Sequence, residues 1–129
     1  MRRSLFALVA LVAVAACGNG AKQPAVSAFT DGTCRVAAPD VLALGKAGAH
    51  LGKGKTIDAA AKATLKDAQD GLRTLADGAE PAYKSAFEKL IVSTGFVRIR
   101  ADGNTYDAAL GRQMMTDYDA VLKACGAAS

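Results

Sequence analysis

The sequence predicts an all-α fold, an up-down-up-down four-helix bundle closed by one disulfide. After Ala38 the apolar residues recur every three or four positions in four successive blocks, which is the period of one face of a helix. Short turns separate the blocks, so consecutive helices are expected to run antiparallel. Cys34 precedes the first block and Cys125 ends the fourth. An even number of antiparallel helices brings both cysteines to one end of the bundle, whereas three helices would place them at opposite ends.

The first helix is predicted to open at Pro39, because proline suits the first position of a helix, and to end at the glycines of residues 52–54. The second is predicted to be capped by Thr56 and to stop at Gly78. The residues expected to face inward are Val41, Leu44, Ala47 or Gly48, and Leu51 in the first helix, and Ile57, Ala61, Leu65, Ala68, Leu72 and Leu75 in the second.

The third helix is predicted to begin at Pro81 and to close at residues 102–103. Asn104 with Asp107 three residues later resembles a capping box and predicts the start of the fourth helix. The residues expected to face inward are Tyr83, Phe87, Leu90, Ile91, Thr94 and Val97 in the third helix, and Tyr106, Leu110, Met114, Tyr118, Val121 and Cys125 in the fourth.

Residues 95–103 also fit a different pattern. They alternate β-branched residues and end on an Asp-Gly pair, which is the signal for a β-hairpin. The strand that would pair with them falls on residues 107–115, whose composition favours a helix. The helix is therefore preferred, and the hairpin is the alternative.

The N-terminus has the layout of a secretory signal. Two arginines follow Met1, and residues 4–16 then form a mostly apolar run of thirteen, whereas a helix that spans a bilayer needs about 20. Val14-Ala15-Ala16-Cys17 resembles the lipobox of bacterial lipoproteins. The resemblance implies cleavage before Cys17, a diacylglycerol on its sulfur, and an exported protein held on the outer face of the bacterial cell membrane. Cleavage without lipidation is the alternative, and it would leave an unpaired exposed thiol outside the cell.

The predicted organisation has four parts: a removed signal peptide at residues 1–16, a lipidated flexible tether at 17–33, the helical bundle at 34–126, and a short tail at 127–129. The tether segment is small and polar, and sixteen flexible residues reach about 20 to 25 Å. Its Phe29 has the alternative of packing on the domain. In an exported protein Cys34 and Cys125 are expected to form a disulfide, which would stabilise the fold by about 4 to 5 kcal/mol on the loop-entropy model.

The net charge of the chain excludes few classes of binding partner. Without Arg2 and Arg3, 14 of the 16 Lys and Arg residues remain against 12 Asp and Glu, a balance of +2, which argues neither for nor against a polyanionic partner. No nucleic-acid partner is expected. Lys53, Lys55, Arg98 and Arg100 are predicted to lie at the end of the bundle far from the disulfide, where they form a candidate anion-binding tip. Cations at helix C-termini also complement the helix dipole, which is the simpler explanation.

The sequence supplies little for catalysis. Residues 49–56 fit a permissive phosphate-binding loop, but the loop is expected between two helices rather than after a buried strand. His50 is the only histidine, and with Met114 or Met115 it is a candidate haem or copper ligand. The antiparallel arrangement places Met114 roughly 7 to 8 Å below it, which argues against such a site. No catalytic residue, metal ligand or cofactor-binding residue is predicted.

These observations favour a lipid-anchored, non-catalytic interaction or scaffolding module whose partner is an envelope protein. Two other functions stay open. The basic tip predicts binding of anionic envelope polymers, which should weaken steeply as salt rises. A carrier of a small ligand such as haem, a metal or a lipid would need a cavity in the bundle.

Overall fold

The computed structural model describes residues 23–51, 53–54 and 56–128, and within them it contains four α-helices and no strand. The helices are α1 (Thr33–Leu51), α2 (Ala59–Ala76), α3 (Pro81–Asp102) and α4 (Ala108–Ala124), and a short 3-10 turn at Val26–Ala28 precedes them. Each helix packs against the next, and α1 also packs against α4, so the four form a closed ring. The predicted four-helix bundle is confirmed.

The disulfide joins the first and last helices, as the even number of helices predicts. Cys34 lies in the first turn of α1 and Cys125 directly follows α4, with their Cα atoms 5.6 Å apart. Both cysteines are fully buried. The bond therefore lies inside the core, at one end of the bundle, and closes 91 residues of chain.

The core is built from the predicted inward faces of all four helices. Its fully buried members within these faces include Val41, Leu44, Leu65, Leu72, Phe87, Leu90, Val97, Met114 and Val121. Residues 95–101 are part of helix α3, and Val97 and Ala101 are buried on its inner side. The hairpin alternative is therefore wrong.

The start of α1 was predicted too late. The helix begins at Thr33, so Pro39 lies inside it rather than at its first position. Cys34, Ala37 and Ala38 are buried against the core, and this packing holds the helix through a residue that lacks a backbone donor. Tertiary contacts thus outweigh the local preference of proline.

The caps of α2 and α4 also differ from the prediction. Asp58, not Thr56, caps α2, and its Oδ1 accepts a hydrogen bond of 2.7 Å from the Ala61 amide. Asp107 is itself the cap of α4, and its Oδ1 accepts from the Ala109 amide at 2.7 Å. Asn104 lies in the preceding turn with a φ of 54°, a left-handed conformation that asparagine tolerates. A carboxylate near a helix N-terminus also complements the helix dipole.

Helices α1 and α4 approach closely because glycines line their contact. The Tyr118 ring lies against Gly45 of α1, and Leu51 lies against Gly111 of α4. The Tyr106 hydroxyl donates to the Leu51 carbonyl at the same level of the bundle. No side chain larger than hydrogen fits at Gly111 without moving the backbone of α1.

We expect Gly111→Ala to lower the free energy of unfolding by about 1 to 3 kcal/mol, the cost of overpacking a tight interior. A methyl group at this position would lie 2.9 Å from the Leu51 Cβ and 3.0 Å from its carbonyl carbon. Gly78→Ala is the control, because a Cβ there meets nothing within 4 Å. Denaturant unfolding of both variants measures the difference, and equal midpoints would show that the α1–α4 contact is looser than described.

Asp40 contributes a pH dependence to the fold. Its carboxylate points from α1 to the backbone of α2 at Gly71, where a side chain would collide with it. Partial burial raises the pKa of Asp40 above its ordinary value of 3.8. The folded state therefore disfavours the charged form, and this loss of stability develops as the pH rises above 3.8.

We expect Asp40→Asn to raise the unfolding midpoint relative to the parent chain at pH 7 and to leave the two equal near pH 3, where the parent carboxyl is protonated in both states. The control is Asp67→Asn, which removes an exposed carboxylate from α2. A midpoint difference that stays constant between the two pH values would contradict this assignment.

Candidate interaction surface and lipid anchor

The segment before α1 is packed on the bundle. Phe29 is 1% exposed and belongs to the core. This is the alternative given above, in which Phe29 packs on the domain. The Thr30 amide donates to the Cys125 carbonyl at 2.9 Å, and the Arg35 guanidinium donates to the Phe29 carbonyl at 3.0 Å. The chain from Gln23 to Gly32 is thus attached to the domain, not part of a free tether. The rest of the predicted tether and the signal peptide lie outside the described residues.

The C-terminal tail is attached in the same way. Ala127 is buried, and its amide donates to the Leu122 carbonyl at 2.8 Å. The bundle therefore extends past residue 126, and only Ser129 of the predicted tail lies outside the described residues.

These contacts limit the distance between the domain and the lipid attachment position. The Gln23 side-chain amide donates to the Leu42 carbonyl at 2.8 Å, which holds the start of the described chain against α1. Six residue steps separate Gln23 from Cys17. Fully extended, they span at most about 20 Å. A lipid on Cys17 would thus keep the bundle close to the membrane surface.

An exposed apolar ridge runs along the outer side of α3. It consists of Val92, Phe96 and Ile99, which are 56%, 54% and 69% exposed. Their spacing of four and three residues places all three on one face of the helix. Single exposed apolar residues are common on protein surfaces, but an aligned set is typical of a contact surface. We call this set the α3 ridge.

A groove runs beside the α3 ridge, between α3 and α4. It has a volume of about 570 Å³ and is open to solvent. On the α3 side it is lined by Val92 and Phe96 together with Ser85, Glu88, Lys89 and Ser93, and on the α4 side by Gln113 and Asp117. Apolar and polar side chains are therefore mixed along the groove.

Charged residues of both signs lie on each side of the α3 ridge. At about 100° per residue, Glu88 and Lys84 lie roughly 50° and 90° from the ridge centre on the side of α2. On the side of α4, Lys89 lies roughly 55° away, and Asp117 of α4 lines the groove. Neither flank of the ridge therefore carries charges of a single sign.

Two of the four cations predicted as a basic tip, Arg98 and Arg100, point in different directions. Arg98 turns toward α2, where it donates to the Gln69 side chain and lines a groove of about 190 Å³ with Lys62. Arg100 comes two residues later, about 200° around the helix, and so points away from Arg98. Lys53 lies in the turn after α1, and Lys55 is outside the described residues.

Gln69 is a structural residue that the apolar pattern of α2 did not reveal. It is 1% exposed, and its side-chain amide donates to the Ile91 carbonyl at 2.9 Å. Gly95 makes room for it, since a Cβ there would lie 2.9 Å from the Gln69 nitrogen. Gln69 follows Leu65 by one helical turn, and Gly95 is a glycine in the middle of α3. The helical spacing of Gln69 from Leu65 and the glycine at position 95 are the sequence features that could have indicated this buried glutamine.

The other candidate sites are His50, the loop of residues 49–56 and the interior of the bundle. His50 is exposed in the last turn of α1, and no three His, Cys, Asp or Glu side chains gather as a metal site within residues 23–51, 53–54 and 56–128. The N-terminus of α2, where the loop of residues 49–56 would direct a phosphate, is occupied by the Asp58 carboxylate. The interior positions that a small ligand would need are filled by buried side chains: Leu65, Leu72, Leu90 and Met114.

The fold and the N-terminus together define a class, a small disulfide-closed helical bundle that follows a lipoprotein signal. Residues 1–17 match the family model described as the prokaryotic membrane lipoprotein lipid attachment site, and the match ends at Cys17. The predicted lipobox is confirmed, and the protein is exported and anchored to the membrane by lipid. None of the described helices has a stretch long and apolar enough to cross a bilayer. No curated protein and no solved structure matches the chain significantly.

Proposed function

We propose that this lipoprotein is a non-catalytic docking module that holds an envelope protein at the membrane surface through its α3 ridge. The observation that carries the proposal is the alignment of Val92, Phe96 and Ile99 on the outer face of α3, each more than half exposed. Residues on the opposite side of the same helix, such as Phe87 and Val97, already fill the core. The outer set is therefore left over from folding and is available for a partner.

The short chain between the anchor and the bundle supports the proposal. The bundle lies at most about 20 Å of chain from Cys17, so a partner docked on the bundle would lie near the membrane, with the α3 ridge on the side opposite α1, where Gln23 is held. Two lipid chains make anchoring stable, and confinement to a surface raises the effective concentration of both proteins. A modest apolar patch is sufficient under these conditions, because part of the cost of association has already been met by anchoring.

The non-catalytic part of the proposal rests on the surroundings of the reactive groups. Cys34 and Cys125 are joined in the disulfide, which leaves neither sulfur as a nucleophile. His50 lies at the end of α1, exposed to solvent. The arrangement of these residues offers no nucleophile beside a base.

The test is co-purification of the full-length lipidated protein from its own membrane, with Val92→Gln, Phe96→Gln and Ile99→Gln combined in one variant. We expect the amount of co-purified partner to fall roughly tenfold or more, because apolar anchors dominate interface energies. The fold should remain, since all three side chains are exposed. Partner retained at the parent level by the triple variant would rule out the α3 ridge as the docking surface.

The matched control is Val36→Gln, which removes a valine that is 62% exposed on α1. It should leave the co-purified partner unchanged. The parent protein should also retain its partner in about 1 M salt, where charge attraction is screened within about 3 Å. Loss of the partner in high salt, with retention by the triple variant, would favour a charged surface instead.

A further inference from the structure

We infer that the bundle lies with its α1–α4 face against the membrane, and that Lys46 and Arg112 on this face contact anionic lipid headgroups. The α1–α4 face is the outer surface formed where α1 and α4 pack side by side. A lipid on Cys17 attaches the protein to a membrane, but the lipid alone does not determine which side of the domain faces that membrane. The place where the chain leaves the bundle and the charges near it determine this side.

The described chain begins on the α1–α4 face. The Gln23 side-chain amide donates to the Leu42 carbonyl of α1 at 2.8 Å, and the same side chain forms a hydrogen bond with the Tyr118 hydroxyl of α4. The Tyr118 ring lies against Gly45 of α1, so Gln23 lies over the line where the two helices meet. Leu42 is about 12 Å along α1 from the disulfide at 1.5 Å per residue. The chain that carries the anchor therefore leaves the bundle from the middle of this face.

The chain between Gln23 and Cys17 is too short to reach around the domain. Its six residue steps span at most about 20 Å when extended. Two packed helices, each about 10 Å across, make the bundle about 20 Å thick from the α1–α4 face to the α2–α3 face. A membrane on the α2–α3 side would require the whole chain to cross that thickness. The α1–α4 face and the two ends of the bundle are the surfaces within reach of the lipid.

Two cations lie at the same height on the α1–α4 face. Lys46 follows Leu42 by one helical turn and shares its side of α1. Arg112 comes one turn before Met115, whose sulfur lies against Gly48 of α1. At 1.5 Å per residue, Lys46 is about 18 Å and Arg112 about 20 Å from the disulfide. Both are exposed, and neither has an ion-pair partner within the residues that the structure describes.

The acids nearest to this pair lie at other heights. Asp119 is exposed on the same side of α4 as Arg112, but it is about 10 Å closer to the disulfide. Asp107 is about 7 to 8 Å farther from the disulfide than Arg112, and its carboxylate accepts the cap hydrogen bond at the start of α4. The charged side chains of the α1–α4 face are the cations Arg35, Lys46, Arg112 and Lys123 and the acids Asp31 and Asp119, a balance of +2.

The two ends of the bundle carry exposed charges of both signs at one height. Among the described residues, the disulfide end has Asp31, Asp77 and Glu80 with Arg35 and Lys123, and the far end has Asp58, Asp102 and Asp107 with Lys53 and Arg100. An anionic surface attracts basic groups within about 8 to 10 Å and repels acids at the same distance. The height of Lys46 and Arg112 on the α1–α4 face is therefore the surface within reach that fits anionic headgroups best.

This orientation directs the α3 ridge away from the lipid. Helix α3 packs against α2 and α4 and lies diagonally across the bundle from α1. The membrane contact and the α3 ridge thus use different sides of the domain, and the membrane contact does not rest on the docking role of the ridge.

The test uses the full-length lipidated protein in vesicles of phosphatidylcholine and phosphatidylglycerol. A fluorescent label is attached through Ala49→Cys or Ala63→Cys, and quenching by acrylamide in the water measures how far each label is open to solvent. Both alanines are exposed, Ala49 one turn after Lys46 on α1 and Ala63 on α2 beside the groove between α2 and α3. We expect quenching at position 49 to be at least about threefold weaker than at position 63, because each cation near an anionic surface favours contact roughly fivefold.

The charge contact is tested in the same vesicles by combining Lys46→Gln with Arg112→Gln. This double variant should lose most of the difference between positions 49 and 63, and so should the parent protein in vesicles of phosphatidylcholine alone. The matched control combines Lys89→Gln with Arg100→Gln, which removes one exposed lysine and one exposed arginine from α3. The control should keep the difference unchanged.

Equal quenching at positions 49 and 63 in the mixed vesicles would overturn the orientation, and stronger protection at position 63 would place the opposite face on the membrane. Protection of position 49 that persists in the double variant or in vesicles of phosphatidylcholine alone would overturn the contact of Lys46 and Arg112 with headgroups. These measurements need no partner protein, so their failure leaves the proposed docking function to its own test.

Discussion

Replacing both Cys34 and Cys125 with Ala is expected to lower the free energy of unfolding by about 4 to 5 kcal/mol. The disulfide closes 91 residues, and the loop-entropy model assigns this stabilisation to the restriction of the unfolded chain. A small domain has a total stability of only about 5 to 15 kcal/mol, so much of it depends on this one bond. Loss of the two buried sulfur atoms adds a smaller packing cost.

Denaturant unfolding of the full-length protein in detergent, with and without a reducing agent, measures this effect. Reduction of the parent chain under unfolding conditions should give nearly the same loss as the double substitution, while the double variant should not respond to reductant. Unfolding midpoints that coincide for the parent and the double variant would contradict a stabilising role for the bond.

Replacing Phe29 with Ala is expected to cost about 3 to 5 kcal/mol, the range for truncating a buried aromatic residue. Phe29 is 1% exposed and is the largest core side chain that comes from outside the four helices. Its loss should also weaken the hydrogen bonds that Thr30 makes to Cys125. The anchor would then be separated from the helices by a longer stretch of free chain.

Unfolding measurements give the first part of this prediction, and hydrogen exchange at the Thr30 amide gives the second. That amide is expected to be protected in the parent chain and to exchange rapidly in the variant. Val26→Ala is the control in the same segment, because Val26 is 40% exposed, and it should change stability by less than about 0.5 kcal/mol. A Phe29 variant as stable as this control would show that the segment is not part of the core.

The number of helices, their inward faces and the disulfide were predictable because each depends on a repeated or paired feature. The period of Leu65, Ala68 and Leu72 determines the buried face of α2, and an even number of helices brings Cys34 to Cys125. The helix ends were less predictable. Pro39, Thr56 and Asn104 have strong local preferences, and packing or a nearby aspartate outweighed each of them.

The α3 ridge was harder to predict for a physical reason. Helix α3 carries apolar residues on two sides, so its sequence has a weak single stripe, and Val97 with Ile99 also fits the alternation of a strand. Only the positions of α2 and α4 decide which side becomes the core. Arg98 and Arg100 of the predicted basic tip illustrate a similar limit: equal height along the bundle does not imply an equal direction around it.

In the proposed function, the α3 ridge docks a partner protein at the membrane. The most direct measurement is photo-cross-linking in intact membranes, with a photo-reactive phenylalanine analogue at position 96 of the full-length lipidated protein and the same analogue at position 36 as the control. We predict one discrete cross-linked product from position 96 that disappears when Val92→Gln and Ile99→Gln are added, and none from position 36. Equal cross-linking from both positions, or no product from position 96, would contradict the claim.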